Sequence, residues 1–143
     1  MSIKKIGFAF GGPIASGKSY TAKSISYILD CNIYSISAVC EPIRHDNIVS
    51  LMHSYDISFA IIDDLRTIEE YNVLKNDEFC KWYFIYLSIP QLTRLERIKK
   101  LYPDNWKEHF NKKEDDISFN KYDCISLSID HTLKFIYNVI GQI

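Results

Sequence analysis

Residues 12–19 read GPIASGKS, which has the spacing G-x-x-x-x-G-K-S. Glycines in such a segment let the backbone turn so that successive N–H groups point inward at an anion. Lys18, directly after the second glycine, can reach the outer phosphates of a nucleoside triphosphate, and the hydroxyl of Ser19 can bind Mg²⁺. The segment therefore predicts a cradle for a triphosphate.

The segment has the setting that such a cradle requires. Alternating apolar residues over residues 3–10 predict a buried strand before it, and Ala22, Ile25 and Leu29 predict a helix after it. The N-terminus of that helix adds partial positive charge beside the loop. We therefore expect ATP and Mg²⁺ to bind here. The residues expected to contact the triphosphate are Gly12, Pro13, Ile14, Ala15, Ser16, Gly17, Lys18, Ser19 and Tyr20.

Apolar runs and amphipathic segments alternate along the rest of the chain. Further strands are expected at residues 32–39, 57–62, 82–87 and 123–129, and helices at residues 90–101 and 103–113. Asp130 is expected to cap a last helix, which Gly141 ends. This alternation predicts an α/β fold with a five-stranded parallel sheet flanked by helices.

Length and composition limit the class of protein. The 143 residues suit one domain, taken as residues 1–143, and 47% hydrophobic with 24% charged residues is typical of globular proteins. A net charge of −1 gives no overall attraction for nucleic acid or an anionic membrane. No apolar run reaches the ~18 residues of a membrane helix. We expect neither nucleic acid nor a membrane as a partner.

The cysteines and the N-terminus predict a cytoplasmic protein. The four cysteines form no C-x-x-C pair, which favours buried free thiols in a reducing compartment. Lys4 and Lys5 precede an apolar run, as in a signal peptide. However, Gly-Gly-Pro interrupts that run and no A-x-A cleavage site follows.

The stretch AIIDDLRTIEEYNVLK offers groups for phosphoryl transfer. Asp63 and Asp64 follow a buried strand, at the end where open α/β sheets bind ligands. Either carboxylate could serve Mg²⁺ or an acceptor, and Arg66 could bind an acceptor phosphate. Alternatively, one aspartate only caps the next helix, whose first turn Glu69 and Glu70 favour.

The stretch IPQLTRLERIKK predicts a basic helix after the fourth strand. Arg94 and Arg97 are three residues apart and share a helix face. Such a helix, at about residues 90–101, could close as a lid and neutralise charge on the transferred group. The alternative is a solvated basic face.

Four stretches resemble, in order, those of P-loop nucleoside-monophosphate kinases, especially phage-type deoxynucleoside monophosphate kinases and dephospho-CoA kinases. GGPIASGKS resembles the phosphate loop, and IIDDLRTIEEYNVLK resembles an Asp-Asp-x-Arg pattern with a Glu-bearing helix. PQLTRLERIKK resembles the arginine-bearing lid, and YDCISLSIDHTLKFIYNVI the closing strand and helix. The resemblance spans nearly the whole chain, although only the loop is a specific motif. It implies the three-layer sandwich of P-loop NTPases and an ATP-dependent phosphotransferase.

The resemblance also implies roles for single residues. Lys18 and Ser19 would bind the donor phosphates and Mg²⁺, and Asp64, or else Asp63, would complete the metal site. Arg66 would bind the acceptor phosphate, and the two lid arginines would contact donor phosphates.

The acceptor site is where the chain departs from these kinases. Glu41 and Arg44 follow the second strand, where these kinases begin their acceptor site, although a plain polar loop is the alternative. Such kinases usually insert helices before the third strand, and here only about residues 41–56 are available. The acceptor pocket is therefore abbreviated, completed by a second subunit in a homodimer, or absent.

Three functions remain open at this point. We favour a small kinase that transfers the γ-phosphoryl group of ATP to a (deoxy)nucleoside monophosphate or a related small acceptor. The second is a nucleotide-binding module or slow ATPase without a full acceptor site. The third is a GTP-binding switch, because residues 120–123 spell N-K-x-D, although this motif precedes an apolar run instead of following a strand.

Overall fold

The computed structural model describes residues 5–34, 59–78, 80–111 and 117–142. The strands within these ranges are β1 (Lys5–Gly11), β2 (Asn32–Tyr34), β3 (Phe59–Ile62), β4 (Cys80–Leu87) and β5 (Cys124–Ser126). The helices are α1 (Lys18–Leu29), α2 (Ile68–Lys75), α3 (Gln91–Leu101), α4 (Trp106–Asn111) and α5 (Ile129–Gly141), with a 3₁₀ turn at Phe119–Lys121.

The five strands form one parallel sheet in the order β2-β3-β1-β4-β5. β1 is central, with Phe8 opposite Ile61 of β3 on one side and opposite Tyr83 of β4 on the other. The chain passes from one side of β1 to the other between β3 and β4, and such a switch point opens a crevice at the carboxyl ends of the strands. The predicted fold class, a five-stranded parallel sheet flanked by helices, is confirmed.

The central strand is buried on both faces because the sheet lies between two layers of helices. All seven residues of β1 are buried. Phe8 and Phe10 belong to the core shared with α1 and α5, whereas Ala9 faces the core that includes residues of α2. Gly7 lies directly against the ring of Trp82, so a Cβ there would overlap the indole. The small residues of β1 therefore make room for the aromatic residues of β4.

A threonine begins α2, so the expectation that Asp63 or Asp64 caps this helix is wrong. The Thr67 hydroxyl accepts a hydrogen bond from the Glu70 amide, and the Glu70 carboxylate accepts one from the Thr67 amide. This reciprocal capping box satisfies two backbone donors of the helix terminus. Neither aspartate is the N-cap of α2.

A serine begins α5, and the prediction that Asp130 caps this helix is also wrong. The Ser128 hydroxyl accepts a hydrogen bond from the amide of His131 at 3.1 Å. Asp130 instead lies in the first turn, where its negative charge is favourable near the helix N-terminus.

The remaining boundaries follow the sequence patterns with small shifts. β4 begins at Cys80, two residues before the expected start, and α4 covers Trp106–Asn111 within the expected helix at 103–113. Residues 35–39 and 57–58 of the expected strands, and the short insert at about residues 41–56, lie outside the described residues. Among the helices of the described ranges, none combines the length and apolar character needed to cross a bilayer.

Candidate functional site

The loop between β1 and α1 takes a conformation that its glycines allow. The φ angles of Gly12 and Gly17 are 144° and 92°, which side-chain-bearing residues rarely adopt, and Ala15 is also left-handed at 63°. The amide of Ser16 donates to the carbonyl oxygen of Pro13 at 3.1 Å, which closes a turn within the loop. A Cβ on Gly12 would lie 2.9 Å from the Leu87 carbonyl oxygen, so close packing also excludes a larger residue there.

Two polar side chains of the loop point to an anionic ligand. The Lys18 ammonium group donates to the carbonyl oxygen of Gly12 at 2.6 Å, so the cation lies across the mouth of the loop. The Ser16 hydroxyl is buried and has no hydrogen-bond partner within the described part of the chain. A buried hydroxyl without a partner is costly in a folded protein. Because a phosphate oxygen could accept its hydrogen bond, the loop fits a phosphate group.

A cleft of about 530 Å³ opens beside this loop. One side is formed by the loop and the first turn of α1, where Ser19 is exposed. Arg66 faces the cleft from beyond β3, and the end of α3 together with α4 forms the opposite wall. The described residues that line it are Ile14, Ala15, Ser16, Gly17, Lys18, Ser19, Tyr20, Arg66, Leu101, Tyr102 and His109.

Asp63 and Asp64 lie immediately after β3 and are half-buried. The amide of the next residue, Leu65, donates a hydrogen bond to the carbonyl oxygen of Phe10 at 3.1 Å. This bond holds the segment beside the end of β1, where the phosphate loop begins. The described residues hold no cluster of three or more His, Cys, Asp or Glu side chains suited to a metal ion. Mg²⁺ does not require such a cluster, because it is commonly held by one or two carboxylates, waters and substrate phosphates. Ser19, which lines the cleft, and Asp64 therefore remain predicted ligands, together with the phosphates of a bound nucleotide.

Arg94 and Arg97 both reach the phosphate loop from α3, but in different environments. The buried guanidinium of Arg94 donates to the Ile14 carbonyl oxygen at 3.0 Å, to that of Phe110 at 3.0 Å, and to the Gln91 side chain at 2.7 Å. It also lies 4.7 Å from the centroid of the Phe110 ring. The Arg94 side chain therefore connects the phosphate loop to α4.

Arg97 is exposed, and within the described residues its guanidinium donates one hydrogen bond, to the carbonyl oxygen of Ala15 at 3.0 Å. An exposed guanidinium held by one carbonyl can turn to a ligand at little cost. The predicted contact with donor phosphates thus needs less rearrangement from Arg97 than from Arg94. For both residues that contact stays a prediction.

A second cleft, of about 210 Å³, adjoins the first at the carboxyl ends of β4 and β5. The two clefts share Ser16, Gly17 and Tyr20. Its other walls are largely apolar, with Arg97 at one side. The further residues that line it are Thr21, Leu87, Ile89, Arg97, Ser126, Leu127, Ser128 and Ile129.

A buried hydroxyl network fixes the floor of this second cleft. The Ser126 hydroxyl donates to the Ser128 carbonyl oxygen at 2.8 Å and lies 2.6 Å from the Thr132 hydroxyl. The Ser126 carbonyl oxygen accepts from the amide of Ser88, which joins the ends of β4 and β5. The sequence patterns did not predict a role for these hydroxyls, although residues 126–132 (SLSIDHT) place several hydroxyl groups where β5 ends and α5 begins.

The N-K-x-D sequence at residues 120–123 has a structural role. The amide of Asp123 donates a hydrogen bond to the Phe84 carbonyl oxygen at 2.7 Å, and the Asp123 carboxylate accepts one from the Phe84 amide at 2.8 Å. The Lys121 ammonium group lies 5.8 Å from the centroid of the Tyr71 ring. The Asp123 carboxylate thus extends the pairing of β4 just before β5, and no guanine-binding role is needed to explain it.

Other sequence predictions have mixed outcomes. Glu41 and Arg44, the acceptor-site candidates, lie outside the described residues. Cys31, Cys80 and Cys124 are free thiols, and burial raises the pKa of each. No spacing pattern indicated that Tyr102 and His109 would line the large cleft.

No protein-family model and no curated protein sequence matches this chain. Solved structures do match over nearly its whole length. The APS kinase of Mycobacterium tuberculosis, solved with AMPPNP and APS, is 15% identical with a TM-score of 0.61, covering 98% of this chain and 99% of that one. The shikimate kinase of Acinetobacter baumannii, solved with shikimate, is 13% identical with a TM-score of 0.58, covering 96% and 94%.

A third match is a deoxyadenosine kinase of M. mycoides, solved with dCMP and dCDP. It is 17% identical with a TM-score of 0.51, covering 96% of this chain and 100% of that one. At these identities the matches establish the fold alone. The chain therefore has the fold of P-loop kinases.

Proposed function

We propose that this protein is a small cytoplasmic kinase that transfers the γ-phosphoryl group of Mg²⁺-bound ATP to a small acceptor. The observation that carries the proposal is the pair of adjoining clefts at the carboxyl end of the sheet. The larger holds cationic and hydroxyl groups around the phosphate loop, and the smaller is mainly apolar and touches the same loop residues. This arrangement suits a ligand with a charged phosphate chain at one end and a flat apolar base at the other.

The residues of the large cleft would act by positioning and by neutralising charge. The loop amides and Lys18 hold the β- and γ-phosphates, and the Ser16 hydroxyl gains the partner that it lacks. Mg²⁺, held by Ser19, Asp64 and the phosphates, would neutralise charge on the donor. Arg97 leaves the Ala15 carbonyl oxygen and turns to the donor phosphates. Phosphoryl transfer needs little covalent help from a protein, so these roles suffice.

The acceptor enters from the side of Arg66, whose exposed guanidinium would bind a phosphate or another anionic group. Asp63 could then help to position the attacking oxygen of the acceptor. The sequence resemblance supports a (deoxy)nucleoside monophosphate as the acceptor, with Glu41 and Arg44 as further contacts. Because only about residues 41–56 are available for an acceptor site before β3, a second subunit would complete the acceptor pocket in a homodimer.

The test is the release of ADP from MgATP across a panel of nucleoside and deoxynucleoside monophosphates, dephospho-CoA and shikimate. An acceptor that raises turnover well above the ATP-only rate establishes the kinase and names its substrate. The Lys18→Ala variant should lose that signal, because the loop loses its cation. The fold of this variant is checked by circular dichroism.

Two results would favour other functions. ATP binding that depends on Lys18 but with no acceptor-dependent turnover would favour a nucleotide-binding module or slow ATPase. Preference for GTP over ATP, together with loss of that preference in Asp123→Ala, would favour a GTP-binding switch.

A further inference from the structure

His109 is the basic side chain on the wall of the large cleft that faces the phosphate loop. This wall, formed by the end of α3 and by α4, contributes Leu101, Tyr102 and His109 to the lining. Neither leucine nor tyrosine carries a positive charge at neutral pH. Within the described ranges, the lining groups of this wall therefore include one basic side chain, the imidazole, whose ring N–H can donate to an anion.

The imidazole is held in a fixed orientation. Its ring is stacked on the Tyr102 ring, with centroids 3.7 Å apart and an interplanar angle of 17°. The side-chain nitrogen of Asn105 lies 3.3 Å from Nε2 of His109. Since that contact occupies Nε2, Nδ1 is the ring nitrogen that can donate to a ligand. A side chain fixed on two sides loses little conformational entropy when it binds.

The distance between this wall and the phosphate loop is also constrained. Arg94 donates to the carbonyl oxygen of Ile14 in the loop and to that of Phe110, the residue that follows His109. One buried guanidinium thus connects the backbone beside the imidazole to the loop that would hold the phosphates. Because all three of its nitrogens already donate to protein acceptors, in Ile14, Gln91 and Phe110, Arg94 would have to give up one of these bonds to turn toward a phosphate.

We propose that His109 is a phosphate-binding residue, whose ring N–H donates to a phosphoryl oxygen of the triphosphate, and that Tyr102 is a positioning residue that orients the ring. The inference rests on the proposed function, since it assigns a contact within the same cleft. It adds a histidine contact from α4, which the spacing of the arginines on α3 did not predict.

The experiment measures the affinity of inorganic tripolyphosphate and of ATP, each with Mg²⁺, by isothermal titration calorimetry. Tripolyphosphate tests the phosphate contact without an acceptor and without a base. His109→Ala should weaken both ligands by about tenfold, the size of one charge-assisted hydrogen bond. His109→Gln, which keeps an N–H donor, should lose less. Glu108→Gln, an exposed change in the same helix that does not line the cleft, is the matched control.

The role of Tyr102 is tested by a conservative pair. Tyr102→Leu, which removes the aromatic face, should weaken tripolyphosphate binding several-fold, and Tyr102→Phe, which keeps it, should restore the wild-type affinity. If Tyr102 only stabilised the fold, an aromatic ring at this position would not by itself restore tripolyphosphate binding. Nor would the loss in Tyr102→Leu run parallel to the loss in His109→Ala.

The possible outcomes separate this inference from the proposed function. If wild-type protein binds both ligands and His109→Ala binds tripolyphosphate within twofold of wild type, the phosphate contact is refuted while the nucleotide site stands. A loss for ATP without a loss for tripolyphosphate also refutes it, because His109 would then contact the nucleoside. If wild-type protein binds neither ligand, both proposals fail.

Discussion

Arg94 and Arg97 offer a direct comparison, because the same residue type occurs twice on one helix in two environments. We consider replacing each by methionine, which keeps most of the apolar stem and removes the guanidinium. Arg94 is 6% exposed and donates three hydrogen bonds, two of them to backbone carbonyl oxygens. Arg97 is exposed and donates one to the Ala15 carbonyl oxygen.

The expected loss of stability for Arg94→Met follows from its partners. The carbonyl oxygens of Ile14 and Phe110 lose their donor, at about 1–2 kcal/mol each. Loss of the contact with the Phe110 ring adds about 1 kcal/mol, and release from burying a charge offsets part of the sum. We therefore expect a net loss of about 3 kcal/mol, which lowers Tm by roughly 10 °C in a domain of this size.

The matched variant should behave differently. Arg97→Met breaks one exposed hydrogen bond, so the free energy of unfolding should fall by less than about 1 kcal/mol. Its effect should appear instead as weaker ATP binding. Urea unfolding followed by circular dichroism measures both variants, and equal slopes would show that the comparison concerns stability alone. If Arg94→Met were no less stable than Arg97→Met, the bridge from the phosphate loop to α4 would contribute nothing and the reasoning would be refuted.

Three further predictions concern single residues. Gly17→Ala should destabilise the protein by about 1 kcal/mol and weaken ATP binding, because φ is 92° there. The control is Gly141→Ala, at the end of α5, where an added Cβ would meet open space. In the same thermal and binding assays this control should be neutral or stabilising. Asp123→Ala should cost about 1–2 kcal/mol of stability through the lost bond to the Phe84 amide, while the ratio of ATP to GTP affinities stays unchanged. Burial raises the pKa of Cys31 to about 11. Since the thiol ionises at lower pH in the unfolded chain, the free energy of unfolding should fall between about pH 9 and pH 11. In urea unfolding, Cys31→Ala should show a smaller fall of that free energy over the same pH range.

Much of the fold and the phosphate loop could be predicted from the sequence because the responsible physics is local. The GPIASGKS segment sets its own backbone conformation, since glycine is the residue that adopts φ angles such as those of Gly12 and Gly17 without strain. The alternation of apolar strands with amphipathic helices predicted the parallel sheet, because burying both faces of such a sheet requires helices on each side. Arg94 and Arg97 were found from their spacing on one helix face.

Tertiary structure alone decided what those residues contact. Helical spacing gave Arg94 and Arg97 the same predicted role, and only the packing of α3 against the phosphate loop buried one and exposed the other. The cap of α5 is a local contact, but the sequence offered two neighbouring candidates, and the structure shows that Ser128 caps the helix and Asp130 does not. His109 is far from the loop in sequence, and no periodicity encodes a cleft formed between α1 and α4. Contacts between distant segments arise from the folded arrangement of the chain, whereas helix, strand and loop propensities are present in the sequence itself.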